Sequence, residues 1–222
     1  MTGLLAVGQF CIDMPDTLWG EHRIVEYAMH DDDADLEHSS IRNSLENHCM
    51  TSPKQAIATT TPPYATGITI PKDKRADLNA LMNGRLADAI DLQMQMKQAH
   101  WNVKGPNFIG LHKLFDEVYQ AVTGYVDTIA ERIVQLGGVA EGTVRLSSAR
   151  TRLDEFPLGI SDGSAHVVAV AKALAAFGGE VRTSISVAND LDDADTADVF
   201  TEVSRGIDKW LWFIEAHHQS RN

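Results

Sequence analysis

Apolar residues recur at helical spacing in four long stretches, and no stretch alternates with the period of two that a half-buried strand requires. The first stretch runs from about Arg75 to Val103, with Leu78, Leu81, Met82, Ala89, Leu92 and Met96 on one stripe and His100 continuing it. Gly105-Pro106 breaks it. The second runs from about Ile109 to Leu136, with Leu111, Phe115, Val118, Val122, Tyr125, Ile129 and Leu136 on one face, and stops at Gly137-Gly138. A connection of about 25 residues follows, long enough to hold a short extra helix and to cross a bundle. The third stretch, about Ser164 to Asn189, tolerates Gly178-Gly179 in its middle. The fourth starts near Asp195, where Asp-Thr-Ala-Asp supplies a capping side chain and first-turn negative charge, and continues through Val203, Ile207, Trp210, Leu211 and Ile214 to about His217. The pattern predicts an all-α fold, an antiparallel four-helix bundle with one long central connection.

The second stretch carries more than a core face. His112 and Asp116 form one i,i+4 pair and Asp127 and Glu131 another, on the side nearly opposite the apolar stripe. The pairs lie roughly 28 Å apart at about 1.5 Å per residue, so one copy of the helix cannot chelate with both. A second copy, antiparallel about a twofold axis near Ala121 and Val122, would bring His112 and Asp116 of one chain to Asp127 and Glu131 of the other. Thr123 and Gly124 near the crossing would let the backbones approach. His100, twelve residues before His112 across the Gly-Pro loop, can reach the same outward face. Two imidazoles and three carboxylates suit Fe(II), Mn(II) or Zn(II) and disfavour Cu(I). Bridging carboxylates without a thiolate favour iron cycling to Fe(III), with zinc as the competitor.

Charge divides the chain. The sequence has 31 acidic and 19 basic side chains, net −12, and residues 1–49 hold ten of the acidic and two of the basic ones. Both cysteines, Cys11 and Cys49, also fall there, so the remainder has no thiol for a disulfide or thiolate site, which fits a reducing, cytoplasmic compartment. Residues 1–49, with the run DDDAD at 31–35, are expected to lie outside the fold, as a disordered extension or an over-called start preceding Met50. Residues 50–74 read as a flexible leader, 75–218 as the bundle and 219–222 as a tail. No apolar run is expected to span a bilayer. The acidic balance argues against an electrostatic nucleic-acid binder.

The segments HWNVKGPNFIGLHKLFDEVY, DTIAERIVQLGG and DKWLWFIEAH resemble the Dps family (DNA-binding protein from starved cells), the ferritin-like miniferritins, over roughly residues 60–218. The resemblance implies a ferritin-like bundle and a hollow dodecamer built from twofold dimers. It also implies a ferroxidase that oxidises Fe(II) with hydrogen peroxide at sites between subunits and stores ferric mineral, protecting DNA and cell. By motif position, His100, His112 and Asp116 would come from one subunit and Asp127 and Glu131 from its partner. It places Trp101 and Trp212 beside the site, where they would absorb stray oxidising equivalents; as side chains alone they read equally as bulky core or interface residues. Asp195 and Asp198 would ring a threefold pore that attracts Fe(II), while Asp190, Asp192 and Asp193 read as capping and solvated loop. Glu117 and Glu141 match no ligand position and read as surface charges, and His217 and His218 as solvated.

Some relatives bind DNA through a basic tail, but the leader from Met50 to Arg75 offers only Lys54, Lys72, Lys74 and Arg75, so DNA binding is expected to be weak or absent at physiological salt. The rival function is a nucleoid-associated DNA-binding or structural shell whose site holds zinc and does little redox work. A heme bundle would need an inward-facing axial ligand, and none stands out in the sequence.

Overall fold

The computed structural model describes residues 64–219. The expectations for residues 1–49 and for the first part of the leader fall outside them. Five helices follow in order: α1 (Lys72–Asn102), α2 (Phe108–Gln135), the short α3 (Val144–Arg150), α4 (Gly163–Asp190) and α5 (Ala194–Glu215). The four long ones form the expected all-α antiparallel bundle, and α3 is the short extra helix of the connection. Among the described residues the only bridge of strand type joins Lys104 and Asp162.

The helix ends follow from local chemistry. Pro71 precedes α1, which starts at Lys72, inside the stretch read as leader. Gly137 takes φ +80° at the end of α2. Its N–H donates to the Val134 carbonyl and that of Gly138 to the Ile133 carbonyl, each at 2.9 Å. These are the two bonds of a Schellman stop. A Cβ on Gly137 would stand 2.4 Å from the Tyr64 carbonyl oxygen, so the positive φ and the close approach both require glycine there. Tyr64 donates its N–H to the Gly137 carbonyl at 2.7 Å, tying the residues before α1 to the end of α2.

Asp162 caps α4 by accepting from the Ala165 N–H at 2.9 Å, and Asp193 caps α5 by accepting from the Thr196 N–H at 3.2 Å. The cap of α5 is therefore Asp193, two residues before the Asp195 expected from the sequence. A tertiary contact decides between them: Asp193 is buried and takes both an Arg132 ion pair and the Thr196 hydroxyl.

The core is a continuous apolar cluster that includes Leu78, Met82, Leu92, Phe115, Phe177 and Phe200, each fully buried. The predicted stripe of α2 is buried as expected except Tyr125, which is half-buried, its hydroxyl standing over Gly206 of α5. The connection crosses the bundle stitched to α1. Asn83 donates to the Val139 carbonyl at 3.1 Å and accepts from the Glu141 N–H at 2.9 Å. Asp88 accepts from the Arg152 N–H at 2.7 Å and Asp91 from the Thr151 hydroxyl at 2.7 Å. Burial pushes the Asp88 carboxyl above its usual range although the Arg152 N–H and the Arg85 guanidinium favour its charged form. Glu141, expected on the surface, is mostly covered and ion-paired to Arg150.

By length and composition alone α4 is apolar enough to cross a membrane, but its Val167, Val170, Leu174 and Phe177 face the core of the bundle. One further expectation changes. An inward-facing histidine does exist. His166 is fully buried, with Phe115 and Phe156 against it at ring-centroid distances of 6.5 and 6.1 Å, and its Nδ1 lies 3.0 Å from the Asp162 carbonyl. It was missed because a lone histidine on a helix gives no periodic signal of its own.

Candidate metal centre

The end of α1, the start of α2, the start of α4 and the end of α5 gather at one end of the bundle. Lys104 donates its N–H to the Ser161 carbonyl at 2.8 Å, and His218 Nε2 lies 3.0 Å from the Ser164 carbonyl. The residues read as site candidates at this end are His100, Trp101, His112, Asp116 and Trp212.

His100 sits in the last turn of α1, where backbone carbonyls run out of helical N–H partners. His112 uses that vacancy: its Nδ1 lies 2.8 Å from the His100 carbonyl oxygen. The arrangement is reciprocal, with His100 Nδ1 at 2.6 Å from the His112 carbonyl oxygen. A carbonyl can only accept, so each Nδ1 carries a proton, and in the neutral imidazole the lone pair then lies on Nε2. Holding one nitrogen as donor in this way is how proteins fix the tautomer of a metal-ligating histidine. The rings stack at a centroid distance of 3.7 Å with planes 22° apart, and Phe108 covers His112 at 5.0 Å.

Asp116 follows His112 by one turn and is partly exposed. Lys97 forms an ion pair with its Oδ1, and Gln120 donates to its Oδ2 at 3.2 Å. The hydrogen bond from Lys97, aided by the lysine's charge, holds the Asp116 carboxyl below its usual range against a smaller upward push from desolvation. Lys97 was overlooked in the sequence. Its signal was available, since it lies three residues before His100 and so on a neighbouring part of the same helix face.

Asp127 and Glu131 are exposed on the same outward stripe of α2, toward its other end. The structure brings His100, His112 and Asp116 into one neighbourhood and leaves Asp127 and Glu131 roughly 17 to 28 Å along the helix from Asp116 and His112. Among the described residues, no three His, Cys, Asp or Glu side chains converge to hold a metal ion.

Of the acidic cluster, Asp198 and Asp195 are exposed, and Asp195 lies 3.9 Å from the Arg132 guanidinium. Asp192 pairs with Lys74, and Asp193 is the buried cap. Trp101 and Trp212 are each 61% exposed, so neither is a core residue of the protomer. Glu117 and His217 are exposed.

Comparison with known proteins places this geometry in context. The family model described as a ferritin-like domain matches residues 79–221. The DNA protection during starvation protein of Agrobacterium fabrum is 39% identical over 153 residues, covering 69% of this chain and 94% of that protein. Among solved structures, a tetragonal form of Mycobacterium smegmatis Dps superimposes with a TM-score of 0.68 at 31% identity, covering 72% of this chain and 96% of the other. DpsA14 of Streptomyces coelicolor does so with a TM-score of 0.68 at 32% identity, over 71% and 94%.

Proposed function

Because the chain belongs to the ferritin-like Dps family, we propose that it oxidises Fe(II) with hydrogen peroxide at sites shared between two protomers and stores the ferric product inside a hollow homo-oligomer, a dodecamer built from twofold dimers. The observation that carries this reading is the reciprocal lock of His100 and His112 through their Nδ1 atoms, which keeps both Nε2 atoms out of the lock, one helical turn from Asp116. The other half of the ligand set, Asp127 and Glu131, lies on the same stripe in the mirrored order. An antiparallel partner supplies it.

In this reading Fe(II) is the substrate. The two imidazoles and the Asp116 carboxylate hold it from one side, and the partner's Asp127 and Glu131 from the other. Two Fe(II) ions held together give up two electrons, which with two protons reduce one hydrogen peroxide to two waters. Paired delivery leaves no single-electron step to release a hydroxyl radical. Lys97 occupies Asp116 as an internal cation and must yield as iron arrives. The exposed Asp195 and Asp198 line the entry for Fe(II), and Trp101 and Trp212 border the site.

Several relatives are named for protection of DNA during starvation. Here protection follows from removing Fe(II) and peroxide rather than from coating DNA, since a net charge of −12 opposes phosphate contact. The chain then acts in the cytoplasm, near the nucleoid only through weak contacts. The test is anaerobic Fe(II) loading followed by half an equivalent of peroxide. Rapid growth of ferric absorbance is expected, and His112→Ala or Asp127→Ala should remove the fast phase while leaving the assembly intact. A fast phase unchanged in either variant refutes the assignment.

A further inference from the structure

Tyr125 of α2 is half-buried, and its ring reaches across to α5 through the gap left by Gly206. Its hydroxyl faces the indole N–H of Trp210. From Trp210 the rings continue along α5. Phe213 packs edge-on against Trp210 at a centroid distance of 5.5 Å, and Trp212 against Phe213 at 4.9 Å, both within the range of paired aromatic rings. Trp212 stands exposed at the end of the series. Two indoles and a phenol are thus joined, through one bridging phenyl ring, from solvent to α2.

The charges along this series are ordered. Lys209 Nζ lies 5.1 Å from the centroid of Trp210 and 5.5 Å from that of Phe213. A cation over an aromatic face is attracted by the electron-rich neutral ring, so it opposes loss of an electron from Trp210. At the other end the exposed Glu202, one turn before Gly206 on α5, sets a negative charge toward Tyr125. A negative charge stabilises a positive hole, so the local field favours movement from Trp210 to Tyr125. Burial pushes the Tyr125 hydroxyl above its usual range, against a smaller downward pull from the Trp210 N–H. The phenol therefore holds its proton at neutral pH and releases it only on oxidation.

We propose that Trp212, Phe213, Trp210 and Tyr125 form a hole-transfer path, in which an oxidising equivalent that lands on the exposed Trp212 indole ends as a neutral radical on Tyr125. This rests on the peroxide reading only for the natural source of the oxidant, a hydroxyl radical released when one Fe(II) meets peroxide alone. The radical takes one electron from Trp212 and becomes hydroxide, which solvent protonates to water. An electron from Trp210 crosses the Phe213 ring to refill Trp212, and one from Tyr125 refills Trp210. The Tyr125 O–H bond breaks, its proton leaves toward the Glu202 carboxylate, and a tyrosyl radical remains. The hole is thereby drawn off a solvent-exposed indole.

Pulse radiolysis with the azide radical, a one-electron oxidant that attacks indoles preferentially, tests the path without iron. In the wild-type chain the indolyl radical absorbance should decay in step with growth of tyrosyl radical absorbance, at a rate independent of protein concentration. Tyr125→Phe keeps the ring and should lose this coupled phase, as should Trp210→Phe. Trp212→Phe removes the exposed entry and should shrink its amplitude, whereas Tyr119→Phe, off the path, should retain it. Far-UV circular dichroism confirms that each variant is folded. No tyrosyl growth in the wild type, or a coupled phase unchanged in Tyr125→Phe or Trp212→Phe, overturns the proposal. Because no Fe(II) enters, a coupled phase in a chain that fails the peroxide assay keeps the path and removes the oxidase. Fast Fe(II) oxidation without a coupled phase removes the path alone.

Discussion

Arg132 and Asp193 show how one buried pair organises the end of the bundle away from the imidazoles. They are 8% and 3% exposed, and the Arg132 guanidinium reaches both Asp193 oxygens, at 3.0 and 3.1 Å. Arg132 also donates to the Thr196 hydroxyl at 3.0 Å, so a residue adjacent to the candidate ligand Glu131 is fixed to the first turn of α5. Asp193→Ala would leave the buried guanidinium with only the exposed Asp195 carboxylate, 3.9 Å away, a change that costs up to about 3 kcal/mol. Urea unfolding at neutral pH checks it. Burial raises the Asp193 carboxyl, but the hydrogen bonds from Thr196 and Arg132 outweigh that and hold it below its usual range. A depressed carboxylate contributes stability that is fully present above its unfolded pKa of about 3.9 and lost as pH falls through the folded value. Wild-type protein should therefore lose stability more steeply than Asp193→Asn below about pH 4, and parallel slopes would contradict the assignment. The residues that escaped the sequence reading share a cause. Lys97 and His166, and the Arg132 pairing of an Asp193 read only as capping and solvated loop, depend on partners on other helices or in loops, and spacing along one helix cannot reveal those. His112 and Asp116 were legible because their relation is internal to α2.

At the scale of elements, four helices with their boundaries within a few residues could be read from periodicity and from Gly-Pro and Gly-Gly punctuation. The contacts that set helix separation could not. Gly178 of α4 faces α5, whereas Gly206 of α5 faces Tyr125 of α2, and the two are not equivalent. A Cβ at 178 would meet Ile207 Cγ2 at 3.2 Å, while one at 206 would fall 1.8 Å from the Tyr125 hydroxyl. Gly179, one residue along, has nothing within 4 Å. Replacing a mid-helix glycine with alanine stabilises an unobstructed helix by up to about 1 kcal/mol. Gly179→Ala should therefore raise the melting temperature. Gly206→Ala should lower it, since displacing the Tyr125 ring costs about 1 to 3 kcal/mol, and Tyr125→Leu in the same chain should recover most of the loss. Thermal unfolding of the three variants decides it, and an equal gain from both alanines would mean that Tyr125 does not constrain α5.

For the whole molecule, the proposed function requires that one bundle offer two half-sites on a single outward stripe and complete neither. The core face of α2 fixes that stripe outward, because Phe115, Val118, Val122 and Ile129 are fully buried on the opposite side. A shared site makes a prediction that no self-contained site can imitate. His112→Ala damages one half and Glu131→Ala the other, so each pure variant should lack fast Fe(II) oxidation. When the two are unfolded together and refolded, about half of randomly formed pairs are mixed, and each mixed pair has one site with both defects and one with none. The mixture should therefore recover about a quarter of the wild-type fast amplitude. Stopped-flow absorbance on the refolded mixture, with each variant refolded alone as control, measures it. Activity no greater than the controls would show that the imidazole of His112 and the carboxylate of Glu131 do not serve one site, and the chain would then need another source for the carboxylates that α2 holds too far away.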